Sequence, residues 1–285
     1  MSKDKPFVSY DERLQRVLSY IYDHLDEDLS LDALADIACM SRYHWHRVFR
    51  AMTGETLADV IRRLRLNKAA NALLQEEEPI RKIAEQVGYT NLSSFSRAFK
   101  IAHGVSPNEF RDRGLKAANL LKFKKGTDDM YPVKITELKE FRAAGALHVG
   151  PYQRIGSAFR RLGGILTANS LLPYADFLFA IYHDALDSKP SAEFRSHVAV
   201  SIQEEFPDIM DGLEYFNLCG GKYAILEHTG PYAKLKVAYD WLYGTWLPQS
   251  GFEPKDAPPI EVYVSDPKIT PSKDLRTDIR LPLCS

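Results

Sequence analysis

Between residues 31 and 104 the chain states one pattern twice. Leu31, Leu34, Ala35 and Asp36 recur as Ile80, Ile83, Ala84 and Glu85 at an offset of 49. Arg47, Phe49 and Gly54 then recur as Arg97, Phe99 and Gly104 at an offset of 50. Each copy reads as a short helix, a tight turn, and a longer helix stopped by glycine, which is a helix-turn-helix written twice.

The flanking sequence fits the same reading. Leu14, Val17, Leu18, Ile21 and Leu25 fall on one face of a helix over residues 11–25. Ser30 caps a helix through residue 38, Ser41 one through about residue 52, and Thr56 opens a long helix to residue 75. Pro79 suits the first turn of a helix through residue 87, and Asn91 caps another through residue 102. Ser106-Pro107-Asn108-Glu109 is a capping box with proline at the first helical position.

The formal net charge is only −1, which conceals a strong segregation. Residues 37–125 carry 17 Lys/Arg against 8 Asp/Glu, a net of +9; residues 1–36 carry 4 against 9, and residues 126–285 carry 16 against 21, each a net of −5. Positive charge gathered on a helix-turn-helix half points to duplex DNA as the partner. A recognition helix needs an apolar back and a hydrogen-bonding front. The first copy offers Arg42, Tyr43, His46, Arg47 and Arg50 to the front; the second offers Asn91, Ser93, Ser94, Ser96, Arg97 and Lys100, with Phe95 and Phe99 behind. Arg47 and Arg97 suit bidentate contacts to guanine, while Arg62, Arg63 and Arg65 on the long helix suit phosphates. One chain with two such units could enter successive major grooves about 34 Å apart.

Residues 114–130 read as a linker, and beyond them the pattern changes to strands and helices. Strands are expected at 133–148, 177–183, 197–202, 223–228, 260–264 and 276–283, and helices at 152–168 and 232–246. His148-Val149-Gly150-Pro151-Tyr152 recurs as His228-Thr229-Gly230-Pro231-Tyr232 at an offset of 80. This predicts an α+β domain of two similar halves with a ligand cleft between them. In the strand at 260–264, Ile260, Val262 and Val264 share one face, expected to pack on a helix, and Glu261 and Tyr263 share the other. A carboxylate beside a tyrosine suits an organic cation through charge and cation–π attraction. Tyr152, Phe177, Tyr182, Trp241 and Trp246 are the candidate aromatic walls.

At Gly88-Tyr89, Ser94-Phe95-Ser96-Arg97-Ala98-Phe99-Lys100, Gly104 and Ser106-Pro107 through Phe110-Arg111, the chain resembles the AraC/XylS family of bacterial regulators. That resemblance puts the DNA-contacting positions at Tyr43, His46 and Arg47, and at Leu92, Ser93, Ser96 and Arg97. Leu92 departs from the usual polar residue there. Ile181-Tyr182-His183-Asp184, Gly220-Gly221-Lys222-Tyr223, Ile260-Glu261-Val262-Tyr263 and Leu275-Arg276-Thr277-Asp278-Ile279 resemble the GyrI-like effector-binding domain, whose ligand anchor is an acidic residue that Glu261 matches. Together the resemblances imply a multidomain protein. An all-α double helix-turn-helix domain (8–113) precedes an α+β GyrI-like domain of two pseudo-symmetric halves (131–285). They imply a transcription regulator that binds a promoter, a small-molecule effector and RNA polymerase.

Hydrolysis in the second half, or a protein-partner surface there, are the alternatives. Against an enzyme, the chain has no Gly-x-Ser-x-Gly elbow, Walker loop or His-x-x-x-His pair. No cofactor and no metal site is expected. Cys39, Cys219 and Cys284 are scattered without CxxC spacing, and no apolar run would span a membrane, so the cytoplasm is the expected compartment.

Overall fold

The computed structural model describes residues 9–75, 78–113, 131–184, 189–267 and 269–284. The chain divides into two compact units, Met1–Lys125 and Gly126–Ser285. The expected linker at 114–130 lies outside the described residues.

The first unit is helical: α1 (Tyr10–Asp23), α2 (Leu31–Ile37), α3 (Arg42–Thr53), α4 (Leu57–Gln75), α5 (Ile80–Gln86), α6 (Leu92–His103) and α7 (Pro107–Arg113). Local side chains start α2, α3, α4 and α6, which is why those starts are legible in the sequence. Ser30, Ser41 and Asn91 each accept a bond from a backbone N–H of the first turn, and Thr56 does so from Asp59. A capping box of Ser9 and Glu12, unforeseen in the sequence, starts α1. Pro79 sits one residue before α5, at its cap, rather than inside the first turn.

Each helix-turn-helix has its own core. Trp45 and Phe49 of α3 bury against Leu14, Ile21, Leu34 and Leu64. Phe95 and Phe99 of α6 bury against Leu66, Leu73, Ile83 and Phe110. The two cores share α4, which gives Leu64 to one and Leu66 to the other. Between α5 and α6 the turn requires a left-handed residue, and Gly88 supplies it at φ +78°. The matching turn of the first copy puts Cys39 at φ +52°, without a glycine's freedom.

The second unit contains β1 (Val133–Leu138), β2 (Phe141–Val149), α8 (Gly156–Ala168), β3 (Ala175–Tyr182), β4 (Arg195–Ile202), β5 (Glu214–Leu218), β6 (Gly221–Thr229), α9 (Leu235–Trp241), α10 (Leu247–Ser250), β7 (Ile260–Tyr263) and β8 (Arg276–Pro282). Among the described residues the strands form one antiparallel half-barrel sheet in the order β1-β6-β8-β7-β3-β4-β2-β5. The order is symmetric about the β7–β3 pairing, so two ββαββ halves meet there.

Three strand expectations change. The strand expected over 133–148 is two strands, because β1 crosses to pair with β6 of the other half while β2 pairs with β4 and β5. β5, unexpected from the sequence, makes the reciprocal crossing. The two connectors pass so closely that a Cβ on Gly220 would lie 2.7 Å from the Glu140 nitrogen, so only glycine fits. Ile260 and Val262 share a face as expected, but pack with Ala143, Phe179, Ile181 and Ala199 instead of on a helix, and Val264 is exposed. Helix α8 packs on the other face, over Ala144, Ala146, Val198 and Val200.

Candidate DNA-reading face and ligand cleft

On α3, burial of His44, Trp45, Val48, Phe49 and Thr53 turns Arg42, Tyr43, His46, Arg47 and Arg50 to the remaining face. Arg42 is exposed, with its guanidinium 5.1 Å from the Tyr43 ring centroid. The others are only partly exposed. One guanidinium nitrogen of Arg47 is buried, as is Nε2 of His46, which has no hydrogen-bond partner. Burial first, then the Arg47 charge, holds the His46 imidazole at about 3, so it is neutral at physiological pH.

Helix α6 presents more. Phe95 and Phe99 are buried, whereas Asn91, Leu92, Ser93, Arg97 and Lys100 are exposed and Ser96 is half-buried. Asn91 spends its side-chain oxygen on the Ser94 N–H at 2.9 Å, which makes it the cap of α6. Ile101, overlooked in the sequence, is 80% exposed one turn beyond Arg97 on the same stripe. The arginines of α4 expected at phosphates each hold a partner inside the unit. Arg62 pairs with Asp59, Arg63 grips Glu55 at 2.7 Å, and Arg65 donates to two backbone carbonyls.

In the second unit, the face that carries α8 also carries Glu261. Ala180 lies opposite Glu261 in the β3–β7 pairing, and Tyr182 lies two residues further on that face. Glu261 is buried. The Tyr263 hydroxyl donates to its Oε2 at 3.1 Å, and the Tyr182 hydroxyl lies 3.3 Å from that of Tyr263. Burial, reinforced by the Glu261 charge, pushes both phenols well above their ordinary range, so both remain hydroxyl donors. The Tyr152 ring meets Tyr182 edge-on at 4.8 Å, and its hydroxyl donates to the Asp184 carbonyl at 2.6 Å.

Two further rings close on Tyr263: Phe159 of α8 at 5.3 Å and Tyr232 at 5.6 Å. Neither was singled out from the sequence. The offset of 80 that relates the two Gly-Pro-Tyr corners carries Tyr152 onto Tyr232 and would have found it.

Three expected walls lie elsewhere. Phe177 alternates to the opposite sheet face, where it meets Phe141 and Phe179 and lies under Arg280. Trp241 packs on Tyr131 at the β1 edge, and Trp246 stacks on Phe252. A metal-binding group of His, Cys, Asp and Glu is absent among the described residues, and no described helix is long and apolar enough to cross a membrane.

The model of the GyrI-like small molecule binding domain matches residues 131–283, and that of a helix-turn-helix domain matches residues 34–113. Regulatory protein SoxS of Escherichia coli (strain K12) is 35% identical over 106 residues, covering 37% of this chain and 99% of SoxS. The chain belongs to the AraC/XylS family and carries a GyrI-like domain. The RCS-specific activator RclR of the same strain is 38% identical over 101 residues, 35% of this chain and 36% of RclR. Among solved structures, the C-terminal domain of AraT, a response regulator from Geobacillus stearothermophilus, is 35% identical with a TM-score of 0.34, covering 41% of this chain and 92% of that one. The AraC/XylS-type half and the GyrI-like half together make a DNA-binding transcription regulator with a small-molecule-binding domain.

Proposed function

We propose that the GyrI-like domain, residues 131–285, senses a lipophilic or aromatic cation at Glu261, and that residues 8–113 read promoter DNA through α3 and α6. The buried carboxyl bonded to Tyr263, whose neighbours are Tyr182, Phe159 and Tyr232 with Tyr152 behind Tyr182, carries the effector reading. A carboxylate out of water gains from a positive charge brought against it, and ring faces add cation–π attraction worth roughly 0.5–2 kcal/mol each. Ala180, the register partner of Glu261, puts only a methyl group beside the carboxylate. The DNA reading rests on the polar front of α6, with Arg97 as the guanine contact and Leu92 at the helix start for a thymine methyl. Tyr43, His46, Arg47 and Arg50 contribute the second reading face, and RNA polymerase is the expected downstream partner.

Calorimetric titration of the full chain would use an aromatic quaternary cation, its neutral isostere and an aromatic anion. The expected result is saturable binding of the cation alone, lost in Glu261→Gln. Equal binding of the neutral isostere would overturn the cation reading. Tyr263 bonded to Glu261 could also serve acid–base chemistry. Turnover of a small ester that disappears in Glu261→Gln would make this domain an enzyme instead of a sensor.

A further inference from the structure

The two helix-turn-helix copies meet at one guanidinium. Arg65 lies inside α4, the helix shared by both cores. Its Nε donates to the Leu25 carbonyl at 2.7 Å and its Nη2 to the Glu27 carbonyl at 2.7 Å. Both carbonyls belong to the segment between α1 and α2, just ahead of the first copy. The same guanidinium lies against Gly88, the turn residue of the second copy. A Cβ on Gly88 would stand 2.7 Å from Nη2, 2.8 Å from Cζ and 2.9 Å from the Leu25 oxygen. Three separate segments therefore converge on one planar cation: the approach to α2, the connecting helix, and the turn that aims α6. Tyr89, next to Gly88, feels the Arg65 charge and packs its ring on Phe95 of α6.

From this junction we propose that Arg65 is a positioning residue that fixes the placement of α6 relative to α3, and thereby the number of base pairs between two half-sites. The inference rests on the reading of DNA by both helices. A forked donor held by two carbonyls and backed by a glycine resists rotation in its own plane, whereas a single hydrogen bond is a hinge. The geometry matters because duplex DNA turns once in roughly 10–10.5 base pairs, so one extra base pair swings a half-site by about 35°. Two reading helices tolerate that swing only if their mounting yields. Arg65→Lys keeps charge and stem but replaces the fork by a compact ammonium. Arg65→Met keeps the stem alone.

The test begins by selecting duplexes from a random pool with the full wild-type chain. Binding of wild type, Arg65→Lys and Arg65→Met is then measured on the selected site, on variants with one or two base pairs inserted or removed between its halves, and on a single half-site. Far-ultraviolet circular dichroism monitors folding. For wild type, one spacing should exceed its neighbours by about tenfold or more, in keeping with the cost of losing a base contact. In both variants the preference should shrink to within about threefold, while half-site affinity stays at the wild-type level. A spacing preference as sharp in the variants as in wild type would overturn the role of Arg65 alone. Parallel losses on half-site and full site, or melting of both variants, would also overturn it, since Arg65 would then support the fold and not the spacing. Selection of a single half-site by wild type would remove the two-helix reading and the proposal with it.

Discussion

Asp184 shows how one residue serves a site it does not line. Its backbone carbonyl and N–H both engage the Tyr152 hydroxyl, at 2.6 and 3.0 Å, while its carboxylate is held by Lys189 at 2.9 Å and by Arg195. Burial alone would raise its pKa, but hydrogen bonds from Arg195 and Lys189 outweigh burial and bring it down to about 2. A carboxyl depressed in the folded state contributes stability above its ordinary pKa near 3.8, and loses it as pH falls from about 4 toward 2. Asp184→Asn should therefore melt a few degrees below wild type at pH 6 and converge with it near pH 2–3, in scanning calorimetry. A difference that stays constant across that range would show the ion pairs to be irrelevant. The same substitution should weaken effector binding, since it loosens the loop on which the Tyr152 hydroxyl is anchored.

At the scale of elements, α3 and α6 are copies in sequence but not in exposure. Arg97 stands exposed in the middle of α6, whereas Arg47 and His46 are partly withdrawn. Arg97→Ala should weaken binding to the selected site by about 1–3 kcal/mol and relax choice at one base pair, read in a competition assay against single-base variants. Equal losses on specific and random DNA would make it a phosphate contact. The helices were legible because their signals are local: a serine or asparagine before the first turn, a glycine after the last. The sheet was less so. Nothing within residues 133–148 says that the chain leaves one half at Leu138 and enters another at Phe141, because that break is dictated by pairing partners some 80 residues away. Strand alternation separated Glu261 and Tyr263 from Ile260 and Val262 correctly, yet it could not say which face bears α8. Alternation puts Phe177 and Tyr182 on opposite faces, and only the paired register tells which of the two shares the face of Glu261. Aromatic type is no guide either, since Trp241 packs on Tyr131 while Tyr232 packs on Tyr263.

At the scale of the whole molecule, the GyrI-like domain is built by exchange: β1 completes the second half and β5 completes the first. Neither half owns a finished sheet, so the domain should unfold in a single step. A fragment of residues 131–211 lacks both β6, on which β1 pairs, and β5, which covers β2. It should give a collapsed amide spectrum by NMR, and a dispersed one would show the half to be self-sufficient. The seam between the halves also organises the aromatic cluster around Glu261. Tyr182 and Tyr263 occupy matching places on β3 and β7, as do Tyr152 and Tyr232 at the two corners, yet the residues that meet across the seam are Ala180 and Glu261. Were each half a separate chain in a twofold dimer, every residue on the axis would come in identical pairs. Such an assembly could set two carboxylates side by side, repelling one another, or none. Joining the halves in one polypeptide permits the odd number, a carboxyl on one side of the seam and a methyl on the other.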